Sequence, residues 1–144
     1  MADDHPDVIG ALSELLVRAS WRLRRNERKE LTPFGLTFAQ ARALRLLSAA
    51  GDGMRIGELA DKLEIVPRSA TTMVDGLESA GLVARSMDPA DRRSVLVMRT
   101  AQGEELLARL AKERRAGAEC LFAPLSLEER EDLLRLLRSI VTEQ

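Results

Sequence analysis

The strongest constraint on the fold lies between Arg55 and Thr100, where two short amphipathic helices are predicted to precede a β-hairpin. The first helix spans roughly Ile56 to Leu63, with apolar side chains at helical spacing. The second begins at Pro67, because proline lacks an N–H and is favoured at the first helical position. Its apolar stripe consists of Ala70, Met73, Val74 and Leu77. This order predicts a helix-turn-helix with a wing, an arrangement that places one helix in a DNA groove.

The polar face of the second helix is small and carries one positive charge. Arg68 and Thr72 lie opposite the apolar stripe, and Ser69 and Thr71 flank them. Short side chains beside a single guanidinium suit close approach to base edges and phosphates. We therefore assign these four residues, with Pro67, as DNA contacts. An ordinary helical hairpin with a solvated polar face is the alternative for these two helices alone.

The segment that follows favours the DNA-binding interpretation. Two short strands are predicted at Leu82–Ser86 and Val95–Arg99, with an Asp-Pro turn signal between them. The connection presents Arg92 and Arg93 side by side, and an arginine at a hairpin tip can enter the negative potential of a minor groove. We expect Asp91 to brace one of the two guanidiniums and so support the wing.

Short motifs along this region carry a family resemblance. They are Leu36-Thr37 with Gln40, Glu58-Leu59-Ala60, Val74-Asp75 with Leu77-Glu78, Gly81-Leu82-Val83, Asp91-Arg92-Arg93, and Thr100 with Gly103. In these motifs the chain resembles the MarR family of bacterial winged-helix regulators. The resemblance implies a homodimeric regulator, often a repressor, that releases double-stranded DNA on binding a small molecule or on oxidation.

The chain departs from the usual family pattern at four positions. Arg55 stands where the family often has a capping Ser or Thr, and Val66 replaces a capping Ser before the second helix. Thr72 and Gly76 stand where relatives frequently carry basic residues. We therefore expect few phosphate contacts from this helix, which leaves more of the affinity to Arg68 and the wing.

Helices are predicted on both sides of the winged lobe, which we place at residues 32–99 of a single 1–144 domain of mainly α (α+β) class. The first flank covers residues 7–30 and the second covers residues 100–143, interrupted at Pro124. Capping boxes at Thr37 and Ser126, and a cap at Thr100, mark three helix starts. Gly81 marks the end of the second helix of the motif.

The apolar stripes of these flanking helices exceed what one small domain can cover. Pairing of the first and last helices in a homodimer is the simplest way to bury them, and the resemblance implies the same. A monomeric helical cap is the alternative.

Charge and composition agree with a regulator that must leave DNA. The formal net charge is −1, and Thr32–Arg99 holds nine basic against eight acidic residues. That balance predicts modest non-specific affinity, and it leaves open a protein-binding adaptor that has lost DNA affinity. No apolar run could span a bilayer, and MADDHPDVIG lacks the basic start of a signal peptide. We therefore expect a cytoplasmic protein without a membrane partner.

The sequence contains no recognisable catalytic motif. The one histidine is His5, close to the first residue and outside every predicted helix and strand, so we expect neither a Ser-His dyad nor a histidine-based metal site. There is no glycine-rich phosphate loop. The sequence predicts no catalytic residue, no metal site and no cofactor.

Two single residues invite hypotheses about regulation. Trp21 lies opposite Leu12 on the first helix, away from its main stripe, so it must pack elsewhere. The resemblance places an effector pocket between the dimerisation helices and the winged lobe. There Trp21, with Phe34, Phe38 and Arg45, could line a site for a small aromatic or phenolic anion; interdomain core is the alternative for Trp21.

Cys120, the one cysteine, is expected to be a small buried residue on the long helix. No basic residue is adjacent to stabilise a thiolate, and the peroxide-sensing branch of the family carries its cysteine near the first helix. A redox-responsive regulator acting through Cys120 is the alternative.

Overall fold

The computed structural model describes residues 7–141, and in that range the chain forms six α-helices and three strands. They are α1 (Val8–Leu31), α2 (Phe38–Ala49), β1 (Met54–Arg55), α3 (Ile56–Leu63), α4 (Pro67–Ser79), β2 (Val83–Asp88), β3 (Asp91–Arg99), α5 (Ala101–Phe122) and α6 (Leu127–Val141), with a 3₁₀ turn at Thr32–Phe34. The predicted mainly helical winged helix-turn-helix fold is confirmed.

The predicted caps form at three helix starts. The Thr37 hydroxyl accepts from the Gln40 N–H, and the Gln40 side chain accepts from the Thr37 N–H at 2.9 Å. Ser126 and Glu129 repeat this reciprocal pair at the start of α6. Thr100 accepts from the N–H three residues on, at 3.1 Å, and opens α5. Each cap satisfies backbone donors that the first turn of a helix leaves without an intrahelical acceptor.

The two helices of the motif begin without a side-chain cap, as expected from Arg55 and Val66. Pro67 occupies the first turn of α4, where a missing N–H is tolerated. Helix α3 ends on Glu64 with φ of 56°, and α4 is followed by Gly81 with φ of 76°. The predicted end of the second helix is therefore confirmed, since glycine adopts a left-handed conformation without a steric penalty.

The three strands form one antiparallel sheet in the order β1–β3–β2. The wing hairpin is longer than the predicted strands Leu82–Ser86 and Val95–Arg99, because β2 extends to Asp88 and β3 begins at Asp91. The predicted eight-residue connection is therefore wrong, and Pro89-Ala90 alone forms the turn. Near the turn the pairing is irregular, because Met87 pairs with Val95 and the next pair is Asp88 with Asp91.

The chain divides into two compact units. The first, Glu27–Lys112, contains the winged motif and every fully buried residue in the described part of the chain. Its core includes Leu44, Leu47, Leu59, Leu77, Leu82, Val97 and Leu106. The second unit comprises described residues 7–26 and 113–141, and no side chain there is buried in the single chain.

The second unit carries large apolar side chains on its surface. On α1 these are Val8, Ile9, Leu12, Leu15, Leu16, Val17 and Trp21, and on α6 they are Leu127, Leu134, Leu136, Ile140 and Val141. Exposed apolar side chains in this number favour association with another surface. Residues 142 and 143 of the predicted dimerisation segment lie outside the described residues. None of the described helices combines the length and hydropathy that a membrane span requires.

Candidate nucleic-acid interface

Helix α4 presents the face that the sequence analysis assigned to DNA. Its buried residues, Ala70, Val74 and Leu77, attach it to the core. The five predicted contacts are all exposed: Pro67, Arg68, Ser69, Thr71 and Thr72. Within residues 7–141 no carboxylate pairs with the Arg68 guanidinium, so its positive charge is available to a ligand.

The same helix carries two carboxylates that would repel DNA. Arg85 of β2 binds both, with Nη2 2.5 Å from Asp75 Oδ1 and Nη1 2.8 Å from Glu78 Oε1. The hydrogen bond with Asp75, together with the nearby Glu78 charge, raises the pKa of Arg85. Arg85 therefore neutralises part of the acidic surface of α4 and ties the helix to the wing. Sequence reasoning missed this contact, since no local pattern connects residues ten apart in a helix and a strand.

The wing carries its two adjacent arginines in an irregular part of β3. Arg92 and Arg93 are exposed at the start of β3, next to the turn. The regular pairing of β3 with β2 ends at Val95, because Val95 is paired with Met87 and the next pair is Asp91 with Asp88. Arg92 and Arg93 lie between these two pairs, so both arginines project from a bulge at the tip of the wing.

Asp91 supports the wing in a different way from the one predicted. Its Oδ1 accepts from the Arg93 backbone N–H at 3.0 Å, and its Oδ2 accepts from the Ser94 hydroxyl at 3.0 Å. These two hydrogen bonds lower the pKa of Asp91. The expectation that Asp91 braces a guanidinium is wrong, because a short carboxylate reaches nearby backbone and hydroxyl donors directly. It holds the backbone from which both arginines project.

Arg55 supplies a second support that the sequence analysis did not predict. Its Nη2 and Nε lie 2.7 Å and 3.3 Å from Asp88 Oδ2, and Asp88 Oδ1 accepts from the Ala90 N–H at 2.9 Å. The hydrogen bond from Arg55, followed by that from Ala90, lowers the pKa of Asp88. The residue that fails to cap α3 thus connects β1 to the tip of the wing. The Asp-Pro turn signal identified Asp88 as a turn residue, and nothing local indicated a partner 33 residues away.

The proposed effector residues belong to different parts of the structure. Trp21 lies in the second unit and is 70% exposed in the single chain. Phe34 and Phe38 are half-buried against the core of the first unit. Arg45 donates to the buried carboxylate of Glu27 at 2.9 Å, so a bound anion would compete with that partner.

Cys120 is exposed on α5. Its expected burial is wrong for a single chain, because no residue of α5 after Leu110 is buried. Residues 7–141 contain no group of three or more His, Cys, Asp or Glu side chains that could hold a metal ion. His5 lies outside the described residues.

Comparisons with known proteins agree with this geometry. The family model described as "MarR family" matches residues 36–95. The chain is 32% identical over 140 residues to the HTH-type transcriptional repressor Rv2887 of Mycobacterium tuberculosis, covering 97% of this chain and 96% of the relative. A MarR family protein from Bacillus stearothermophilus has a similar structure, with a TM-score of 0.79 at 27% identity, covering 96% of both chains.

A third protein, a mutant of S. aureus MepR bound to an oligodeoxyribonucleotide, shares the fold with a TM-score of 0.68 at 23% identity. The alignment covers 91% of this chain and 96% of that one. The match over 140 residues to the mycobacterial repressor and the match to the family model show that the sequence of this chain, as well as its fold, is that of the family. The chain belongs to the MarR family of winged helix-turn-helix transcriptional regulators.

Proposed function

We propose that this protein binds a palindromic DNA operator as a homodimer and represses transcription until a small aromatic effector releases it. The observation that carries the proposal is a set of exposed guanidiniums without an internal partner in the described part of the chain. They are Arg68 on α4 and Arg92 and Arg93 on the wing. A regulator needs such uncommitted positive charges, because phosphate contacts supply most of its electrostatic affinity.

Helix α4 and the wing would contact different parts of the DNA. Helix α4 is short and polar on its exposed face, which suits insertion into the major groove. Arg92 and Arg93, which project from the tip of the wing, would contact the adjacent minor groove and its phosphates. The fold supports this use, since the related MepR structure carries an oligodeoxyribonucleotide.

Dimerisation is supported by the exposed apolar side chains of α1 and α6. A stable monomer rarely leaves Ile9 and Ile140 as exposed as they are here, at 77% and 66%. Burying such surface against a second copy gains about 25 cal/mol per Å² of apolar area. Two copies related by a two-fold axis would present two α4 helices to a palindromic site.

The effector proposal is supported by Trp21. A largely exposed tryptophan on α1 offers an aromatic surface to a flat ligand. Phe34 and Phe38 are further candidates, and Arg28 already stacks over the Phe38 ring at 5.8 Å.

DNA binding is tested with duplexes selected from a random library, using fluorescence anisotropy over a range of salt. The triple variant Arg68→Ala/Arg92→Ala/Arg93→Ala should bind far more weakly than the wild type. Its salt slope should fall by about one for each phosphate that the protein no longer neutralises.

The matched control removes the same charge from α5, away from α4, the wing and the apolar side chains of α1 and α6, as Arg109→Ala/Lys112→Ala/Arg115→Ala. It should keep nearly the wild-type affinity apart from the long-range effect of net charge. Equal losses of affinity in the two triple variants would refute the assigned interface. If no duplex is enriched by the wild type, the adaptor alternative replaces this proposal.

A further inference from the structure

Two threonines on the exposed face of α4 have already used their hydroxyl hydrogens. Thr72 Oγ1 donates to the Arg68 carbonyl at 3.2 Å, and Thr71 Oγ1 donates to the Pro67 carbonyl at 3.1 Å. A hydroxyl has a single hydrogen, so each side chain is left with accepting lone pairs and a methyl group. Neither threonine can donate to a base while its helix bond is intact.

Thr72 occupies the centre of the exposed face. It follows Arg68 by one turn, and both lie opposite buried Ala70 and Val74. Asp75, the next residue along this face, is held by Arg85. Thr72 therefore lies between a donor-only guanidinium and a neutralised carboxylate, and it is the most apolar side chain of the three.

Base pairs differ in what they offer to such a side chain. In the major groove guanine presents two acceptors, and cytosine presents a donor without a methyl group. An A·T pair presents the adenine N6 donor and, beyond the thymine O4 acceptor, the thymine C5-methyl group. The A·T pair thus offers a methyl surface and a donor to a residue that has a methyl surface and an acceptor.

We infer that Thr72 reads an A·T pair in each operator half-site, with its methyl group against the thymine C5-methyl and its Oγ1 accepting from adenine N6. The inference rests on the proposed function and specifies one of its base contacts. Arg68, which only donates, is complementary to the acceptors of a neighbouring guanine.

The test uses duplexes selected by the wild-type protein, with each thymine of one half-site replaced in turn by uracil, which lacks only the methyl group. One replacement should weaken binding by about fourfold, which is the loss of affinity expected when one buried methyl group is removed. Thr72→Ser, which removes the side-chain methyl, should bind thymine and uracil duplexes equally. Thr72→Val keeps a methyl surface and should retain the uracil effect. The variant has no oxygen to accept from adenine N6, so replacing the partner adenine by unsubstituted purine, which lacks the N6 amino group, should not weaken its binding further.

Thr32→Ser is the matched control. Thr32 also donates its hydroxyl to a carbonyl four residues back, that of Arg28 at 2.8 Å, but it lies outside α4 and the wing. This variant should show the wild-type uracil effect.

The possible results distinguish a failure of the Thr72 contact from a failure of the proposed DNA-binding function. If no uracil replacement matters, or if Thr72→Ser remains as sensitive as the wild type, the reading of an A·T pair is refuted while DNA binding stands. If selection enriches no sequence, the proposed function fails and this inference fails with it.

Discussion

Arg55 donates two hydrogen bonds to one oxygen of Asp88, from Nη2 at 2.7 Å and from Nε at 3.3 Å. Arg55 ends β1 immediately before α3, and Asp88 ends β2 immediately before the wing turn. The pair therefore joins the helix-turn-helix to the tip of the hairpin across β3. Because the other Asp88 oxygen holds the Ala90 N–H, the contact continues into the turn itself.

Arg55→Ala should loosen the wing turn and weaken DNA binding several-fold. The reason is that Asp88 loses its guanidinium partner and no longer anchors the turn that carries the wing arginines. The measurements are hydrogen exchange at the Ala90 amide, expected to accelerate, and anisotropy on a selected duplex. Arg115→Ala, which removes a surface ion pair with Glu119, is the control. Unchanged exchange at Ala90 would show that the pair does not support the turn.

The two wing carboxylates should respond differently to that substitution. The hydrogen bond from Arg55 is the largest cause of the lowered pKa of Asp88. For Asp91, the hydrogen bonds from the Arg93 N–H and the Ser94 hydroxyl are the largest causes of the lowered pKa. A carboxylate whose pKa is lowered in the folded state stabilises the fold when the pH is above its ordinary pKa. This stabilisation is lost as the pH falls through the pKa of the folded state.

Carboxyl titration by NMR should therefore show Asp88 returning toward its ordinary pKa in Arg55→Ala, with a much smaller change at Asp91. The acid unfolding of the wing should begin at higher pH in this variant. A shift of equal size at the two carboxylates would contradict the assigned hydrogen bonds.

Arg85→Ala should weaken DNA binding although Arg85 itself is not assigned a DNA contact. The substitution leaves Asp75 and Glu78 unpaired on α4, where their charges repel phosphate. Adding Asp75→Asn and Glu78→Gln to Arg85→Ala should restore a large part of the affinity. If the combined variant binds as weakly as Arg85→Ala alone, Arg85 contributes through a direct contact or through packing instead.

Aromatic anions such as salicylate should quench the fluorescence of Trp21 saturably and weaken operator binding in parallel. Trp21 is the one tryptophan of the chain, so the signal reports on its surroundings alone. Linkage requires that such a ligand bind less tightly to the DNA-bound protein.

Trp21→Phe should impair the ligand response and leave DNA affinity within a few-fold of the wild type. Because Trp21 is largely exposed in the single chain, loss of the dimer in this variant would place it in the dimer interface instead of an effector site.

The features that could be predicted from sequence are those encoded within one or two helical turns. The Thr37 and Ser126 capping boxes and Pro67 at the start of α4 each depend on residues at most three apart, and all three are confirmed. The exposed polar face of α4 follows from helical periodicity in the same way. The wing follows from two short apolar and β-branched runs on either side of an Asp-Pro turn signal, although both strands extend closer to the turn than these runs predict.

The contacts that sequence reasoning missed join residues distant in the chain. Arg55 reaches Asp88 only because β1 and β2 flank β3, which no local pattern specifies. Charge pairing alone predicts a guanidinium partner for Asp91, whereas the closer donors belong to the backbone and to a hydroxyl. Residue-type statistics predict a buried Cys120, although the buried stripe of α5 ends at Leu110.

Hydroxyl-radical footprinting of a selected duplex at saturating protein decides whether a dimer presents two α4 helices and two wings to one operator. We expect two symmetric protected half-sites about one helical turn, 10–10.5 base pairs, apart. Minor-groove protection outside each half-site should disappear in Arg92→Ala/Arg93→Ala. A single asymmetric half-site, or a footprint that the double variant leaves unchanged, would refute this mode of binding.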